Sequence, residues 1–222
     1  MSSKSRSNYA KLEEASRGIA GPMRAWLSDI CANPAQHARF LNTLSLMEHI
    51  GSRKIMASQS GAMLQQETLK HLAEETRHAF FFKRAAETMA GQSLDYGTTN
   101  IIVGPAARMY MARLDAYIEN ALSNVPREAA YLYMSLVVEF RAVWFYRLYQ
   151  DVLTTKHISL SLKSVLAEEE LHLDEMTSRL ASLDAMHDTR TEEFCAFECG
   201  RFATLWNSLS SEHSQRVIHA NA

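Results

Sequence analysis

Residues 132–146 read LYMSLVVEFRAVWFY, a largely apolar run that surrounds the carboxylate of Glu139. Taking a lone carboxylate out of water costs several kcal/mol, so a chain seldom places one in such a run without a partner. The same oddity recurs elsewhere. Glu48 lies in LSLMEHIGS, and two further acids carry a histidine three residues on, as Glu75-Thr-Arg-His78 and Glu169-Glu170-Leu-His172. On a helix, a spacing of three puts both side chains on one face.

Helices are what the rest of the chain supports. Among 222 residues there are only 8 Gly and 4 Pro, and Leu, Ala, Met, Glu and Arg fill the long stretches between them, which predicts an all-α protein. The length fits a single domain spanning 1–222. Asn33 is expected to cap a first long helix with Pro34 as its first residue, running to about Ser58. Ser60 should open a second, which Gly91 closes. A long crossover follows, with its own helix from Pro105 to about Leu122. Asn124 should cap a third long helix with Pro126 in its first turn, and Ser159 or Ser161 a fourth that runs to about Leu183. This core, about 34–183, is flanked by an N-terminal accessory helix (8–32) and a C-terminal one (189–215), the latter opened by Thr189 and Glu192 as a capping box. Two short connections and one long one describe two helical hairpins joined by a crossover.

Each long helix carries a seam with spacings of three and four, the mark of a helix facing a bundle core. The first seam is Leu41, Leu44, Glu48, Gly51, Ile55; the second Leu64, Thr68, His71, Glu75, His78, Phe82, Ala85, Met89. The third is Leu132, Ser135, Glu139, Ala142, Tyr146, Tyr149, Leu153; the fourth Leu162, Val165, Glu169, His172, Met176, Arg179, Leu183. All four have ionisable residues at mid-length. Glu48 precedes Glu75 by nearly the interval that separates Glu139 from Glu169, so the chain reads as one hairpin written twice. Each copy supplies one isolated Glu and one Glu-x-x-His. Four carboxylates and two neutral imidazoles balance two divalent cations, and carboxylate-rich donors suit iron or manganese rather than a thiolate-seeking metal. Glu74 and Glu168, one residue earlier, are the alternative carboxylates, although the seam favours Glu75 and Glu169.

The set Glu48, Glu75, His78, Glu139, Glu169 and His172 resembles the ligand set of the ferritin-like di-iron carboxylate proteins, over roughly residues 34–183. The resemblance implies a ferritin-like four-helix bundle holding two iron ions (Fe2+/Fe3+), with manganese as the other candidate metal. It further implies a non-haem di-iron oxidoreductase, an oxygenase or oxidase that uses O2 to oxidise a small organic substrate, with an electron donor as a further partner. The competing expectation within the same resemblance is iron handling, by a ferroxidase or a peroxide-reducing protein.

Other residues have two readings each. His71 projects between Glu75 and His78, as an extra ligand or as a buried histidine hydrogen-bonded to a neighbour. Some arylamine N-oxygenases of the resembled family carry an extra histidine ligand, but on the second motif, where this chain has Val165. Gly51 and Ala142, each three residues after an isolated Glu, either leave room for substrate beside the metals or let helices pack closely. Trp144, Tyr146, Tyr149 and Met47 read as packing. Cys31, Cys195 and Cys199 lack a C-x-x-C pair and read as reduced packing residues.

With 23 basic and 25 acidic residues spread along the chain, no basic patch points to a nucleic acid. The polar N-terminus and the lack of a long apolar run predict a cytoplasmic protein without a membrane span. A homodimer is compatible with the sequence.

Overall fold

The computed structural model describes residues 3–59, 64–125, 127–183 and 185–220, with side chains between 5 and 212. Among the described residues there are eight helices and no strand: α1 (Ser3–Ala15), α2 (Arg17–Ala32), α3 (Pro34–Ser58), α4 (Gln66–Ala90), α5 (Gly104–Ala121), α6 (Arg127–Thr155), α7 (Lys163–Ser182) and α8 (Asp188–Ala220). None of them is long and apolar enough to cross a membrane. They fall into two compact units, one of residues 1–24 and 112–201, the other of residues 25–111 and 202–222.

In the second of these units α3 packs along α4. Asn33 caps α3 as expected: its side chain accepts from the backbone N–H groups of Ala35 and Gln36, and Pro34 supplies the first helical residue. Gly91 ends α4 in the left-handed conformation, at φ 67°, where a side chain is disfavoured. The start of α4 differs from expectation. Ser60 lies outside the described residues, α4 starts at Gln66, and Leu64 is an exposed residue before it rather than part of its seam. The crossover segment is fastened to α3 by polar side chains. Asn42 donates to the carbonyls of Asp95 and Asn100, Arg39 to those of Thr99 and Ile101, and Tyr96 Oη meets Ser45 Oγ at 2.8 Å.

In the first unit α6 packs along α7, with α1 against both. Helix α6 is buried on most sides, which suits its apolar sequence. Pro126 lies outside the described residues. Helix α7 starts at Lys163, later than either serine expected to open it: Leu162 is the cap, and Gln150 Oε1 accepts its N–H at 2.6 Å. The last helix begins at Asp188, so Thr189 is already inside its first turn and is not a cap. The N-terminal accessory helix is two helices, because the chain breaks at Ser16, whose buried hydroxyl accepts from Arg141 Nη1 at 2.8 Å.

One consequence is measurable. His37, on the buried side of α3 with Cys31 Sγ 3.8 Å from its Nε2, has its pKa pushed down by burial to about 4. The folded chain therefore binds fewer protons here than the unfolded chain. The stability from this group is complete above the unfolded value near 6.5 and is lost as pH falls toward 4. Between pH 7 and pH 4.5 the wild type should lose about 2 to 3 kcal/mol more than His37→Gln in urea unfolding; equal losses would contradict burial as the cause.

Candidate metal centre

Helices α3 and α4 bring one group of donors together. Glu48, Glu75 and His78 each offer a ligand atom, all within 4.8 Å of one another. The spacing of three turns His78 onto the face of Glu75, and its Nδ1 stands 3.7 Å from Glu75 Oε1. His71, one turn earlier, is also buried, with Nε2 3.5 Å from the same oxygen. Its position thus bears on Glu75 directly.

Helices α6 and α7 assemble the matching group. His172 is fully buried, and its Nδ1 lies 3.0 Å from Glu169 Oε2 and 3.4 Å from Glu139 Oε1. Burial alone would lower the pKa of His172, but hydrogen bonds and charge from Glu139 and Glu169 outweigh it and push the value up to about 12. Both carboxylates thus favour the protonated imidazole.

The remaining residues sort themselves by direction. Glu74 turns away from Glu75 and meets Lys70 at 3.7 Å and Arg77 at 4.0 Å, while Glu168 is half-buried. Gly51 is half-buried, and a Cβ built there would meet a single atom within 4 Å, Glu75 Oε2 at 3.5 Å. Ala142 and Met47 are half-buried as well. Trp144, Tyr146 and Tyr149 are buried, and the Trp144 ring carries the Arg141 guanidinium at 4.9 Å. Cys31, Cys195 and Cys199 are thiols outside any disulfide. Burial pushes Cys195 up to about 12 and raises Cys199, so neither is a thiolate at neutral pH.

No protein-family model, curated protein or solved structure matches this chain. The donors themselves must therefore decide what fits. Each unit buries two carboxylates with a histidine at hand, and no cysteine belongs to either group. Hard oxygen donors with imidazole suit iron or manganese, and a divalent cation in either group would offset two buried negative charges.

Sequence reasoning missed one feature near these donors. Arg141, two residues after Glu139, makes a two-pronged pair with Glu198 of α8, Nε to Oε1 at 2.9 Å and Nη2 to Oε2 at 2.7 Å, both side chains buried. The presence of Arg141 in the apolar run was the available signal. Its partner lies 57 residues away, too far for any local spacing to reveal.

Proposed function

We propose that this chain is a ferritin-like di-iron protein that activates O2 to oxidise a small organic molecule. In this reading α3–α4 and α6–α7 are the two hairpins, each supplying two carboxylates and a histidine for iron. Glu48, Glu75 and His78 would come from one hairpin, and Glu139, Glu169 and His172 from the other. The observation that carries the reading is the duplicated burial of Glu with Glu-x-x-His, once in each unit. Ferrous ions held there supply the electrons and O2 reactivity that no side chain provides.

The chain's own groups have definite parts. The carboxylates would neutralise the cations, and His172 would give up its imidazole proton on holding one of them. The small residue Gly51 beside Glu75, where an added Cβ would already touch Oε2 at 3.5 Å, is where this reading puts the organic substrate. His71, in contact with Glu75, positions that carboxylate.

Replacing Gly51 by Leu tests the reading. The folded variant should still bind two irons and react with O2, yet lose at least about ten-fold in substrate-coupled oxidation, as expected when apolar bulk is added where a substrate sits. Overpacking itself costs about 1 to 3 kcal/mol, which thermal melting will register. In the wild type, the O2 reaction should accelerate with the right member of a panel of amines, aldehydes and aromatic compounds. Repeated turnover of ferrous iron into a mineral, with no organic compound altering the O2 reaction, would instead assign the chain to iron handling.

A further inference from the structure

We propose that the outward stripe of α4 is the docking surface for an acidic protein that delivers single electrons. The proposal rests on the di-iron reading above. At about 100° per residue, Leu69, Ala73, Arg77, Phe80 and Arg84 share one stripe of α4, on the side opposite His71, Glu75 and His78. Phe80 is 61% exposed and Leu69 48%, and Arg84 lies over the Phe80 ring, 5.7 Å from its centroid. Arg77 is exposed, and its neighbouring acid Glu74 is shared with Lys70. Glu87 continues the stripe toward the end of the helix, but its half-buried carboxylate is engaged by Lys83 at 3.8 Å and by the Leu94 N–H at 3.0 Å. The stripe is thus an apolar patch edged by guanidinium groups. Aromatic and Arg side chains of this kind dominate binding energy at protein interfaces.

Charge selects the partner. The chain as a whole is slightly acidic, with a formal net charge of −2, yet this face is positive. The helix bearing the matching motif differs: α7 exposes Leu171, with the half-buried acids Glu168 and Glu175 one turn to either side, and its Glu170 is held by Arg147 at 2.5 Å. A positive patch on one of two otherwise equivalent helices suits an acidic partner and steers its approach. The location explains why that partner would carry electrons. A helix with its side chains is about 10–12 Å across, so a carrier on this stripe sits one helix thickness from Glu75 and His78. Insertion of one oxygen atom, RH + O2 + 2 H+ + 2 e− → ROH + H2O, needs two electrons that the substrate does not provide. Two molecules of a reduced iron–sulfur protein, each oxidised by one electron, close that balance.

The test uses the full chain and an acidic plant-type [2Fe–2S] ferredoxin as probe. Calorimetric titration of the oxidised ferredoxin into iron-free protein should show binding that weakens steeply with added salt. The variants Arg77→Glu with Arg84→Glu, and Phe80→Ser, should each lose at least ten-fold in affinity, while Leu171→Ser on α7 binds as wild type. With ferric iron loaded, reduction by ferredoxin should slow by the same factor in these variants, and reduction by dithionite should not change. Equal ferredoxin binding by variants and wild type, or none by either, overturns the proposal. So does sedimentation showing a homodimer that Phe80→Ser dissolves, or binding of the stripe to anionic vesicles in place of ferredoxin. Normal iron uptake with no ferredoxin binding removes the docking surface alone, whereas failure to bind two irons removes the di-iron reading.

Discussion

Titrated anaerobically with ferrous iron, the chain should take up two ions, release about one proton from His172 and gain roughly 10 to 20 °C in melting temperature. At a hundred-fold excess over Kd each ion adds about 2.7 kcal/mol to the folded state, and for a chain of this size each kcal/mol moves the midpoint by about 2 to 4 °C. The proton comes from geometry: Nδ1 of His172 faces both Glu139 and Glu169, and their charge keeps it protonated far above neutrality. A metal at that atom must displace the proton, so affinity should climb about ten-fold per pH unit through the neutral range. His78→Ala and His172→Ala should each weaken uptake by at least about ten-fold, since even groups that merely support a ligand are worth that much. Only His172→Ala should abolish the proton release. A stoichiometry of one or less at saturation, or identical melting curves with and without iron, would remove the dinuclear reading.

Glu198→Gln should be among the most damaging single substitutions away from the proposed metal ligands, at about 3 to 5 kcal/mol, or roughly 6 to 20 °C in melting temperature. The amide keeps the shape of the carboxylate but leaves Arg141 as a buried cation without its counter-charge. Arg141 also reaches Ser16 and Cys199, so the loss spreads from α6 and α8 to the break between α1 and α2. The double variant Arg141→Met with Glu198→Leu removes both charges and should recover most of the stability, because an apolar pair avoids the desolvation that the ion pair only offsets. Should the double variant prove as unstable as the single one, the network would matter for its hydrogen bonds to Ser16 and Cys199 rather than for charge balance. In either case the weaker clamp sits two residues from Glu139, and iron affinity measured alongside melting will show whether it orients that carboxylate.

Much of this was legible in the residues because helices are local. Spacings of three and four fix which side chains share a face, so the burial of Glu48, Glu75, His78, Glu139, Glu169 and His172 could be anticipated from the apolar residues around them. Asn33 with Pro34 and the left-handed Gly91 are signals carried within a few residues, and both mark real helix ends. The weaker end signals misled. Ser159, Ser161 and Thr189 have the right chemistry for caps, but the backbone N–H of Leu162 is taken by Gln150 from the preceding helix, and Asp188 starts α8 before Thr189 can cap it.

By itself, then, the sequence determined the all-helical class, the faces turned inward and the pairing of each histidine with a carboxylate one turn away. The tertiary structure alone decided which distant groups complete those faces. It set Glu139 beside His172, closed Arg141 onto Glu198, broke the N-terminal segment at Ser16 and bound the crossover to α3 through Arg39, Asn42 and Ser45. The physical reason is that a helix repeats every 3.6 residues and so encodes its own faces. A hydrogen bond between residues tens of positions apart exists only once packing has excluded water from both partners, and nothing in the spacing of either one foretells it.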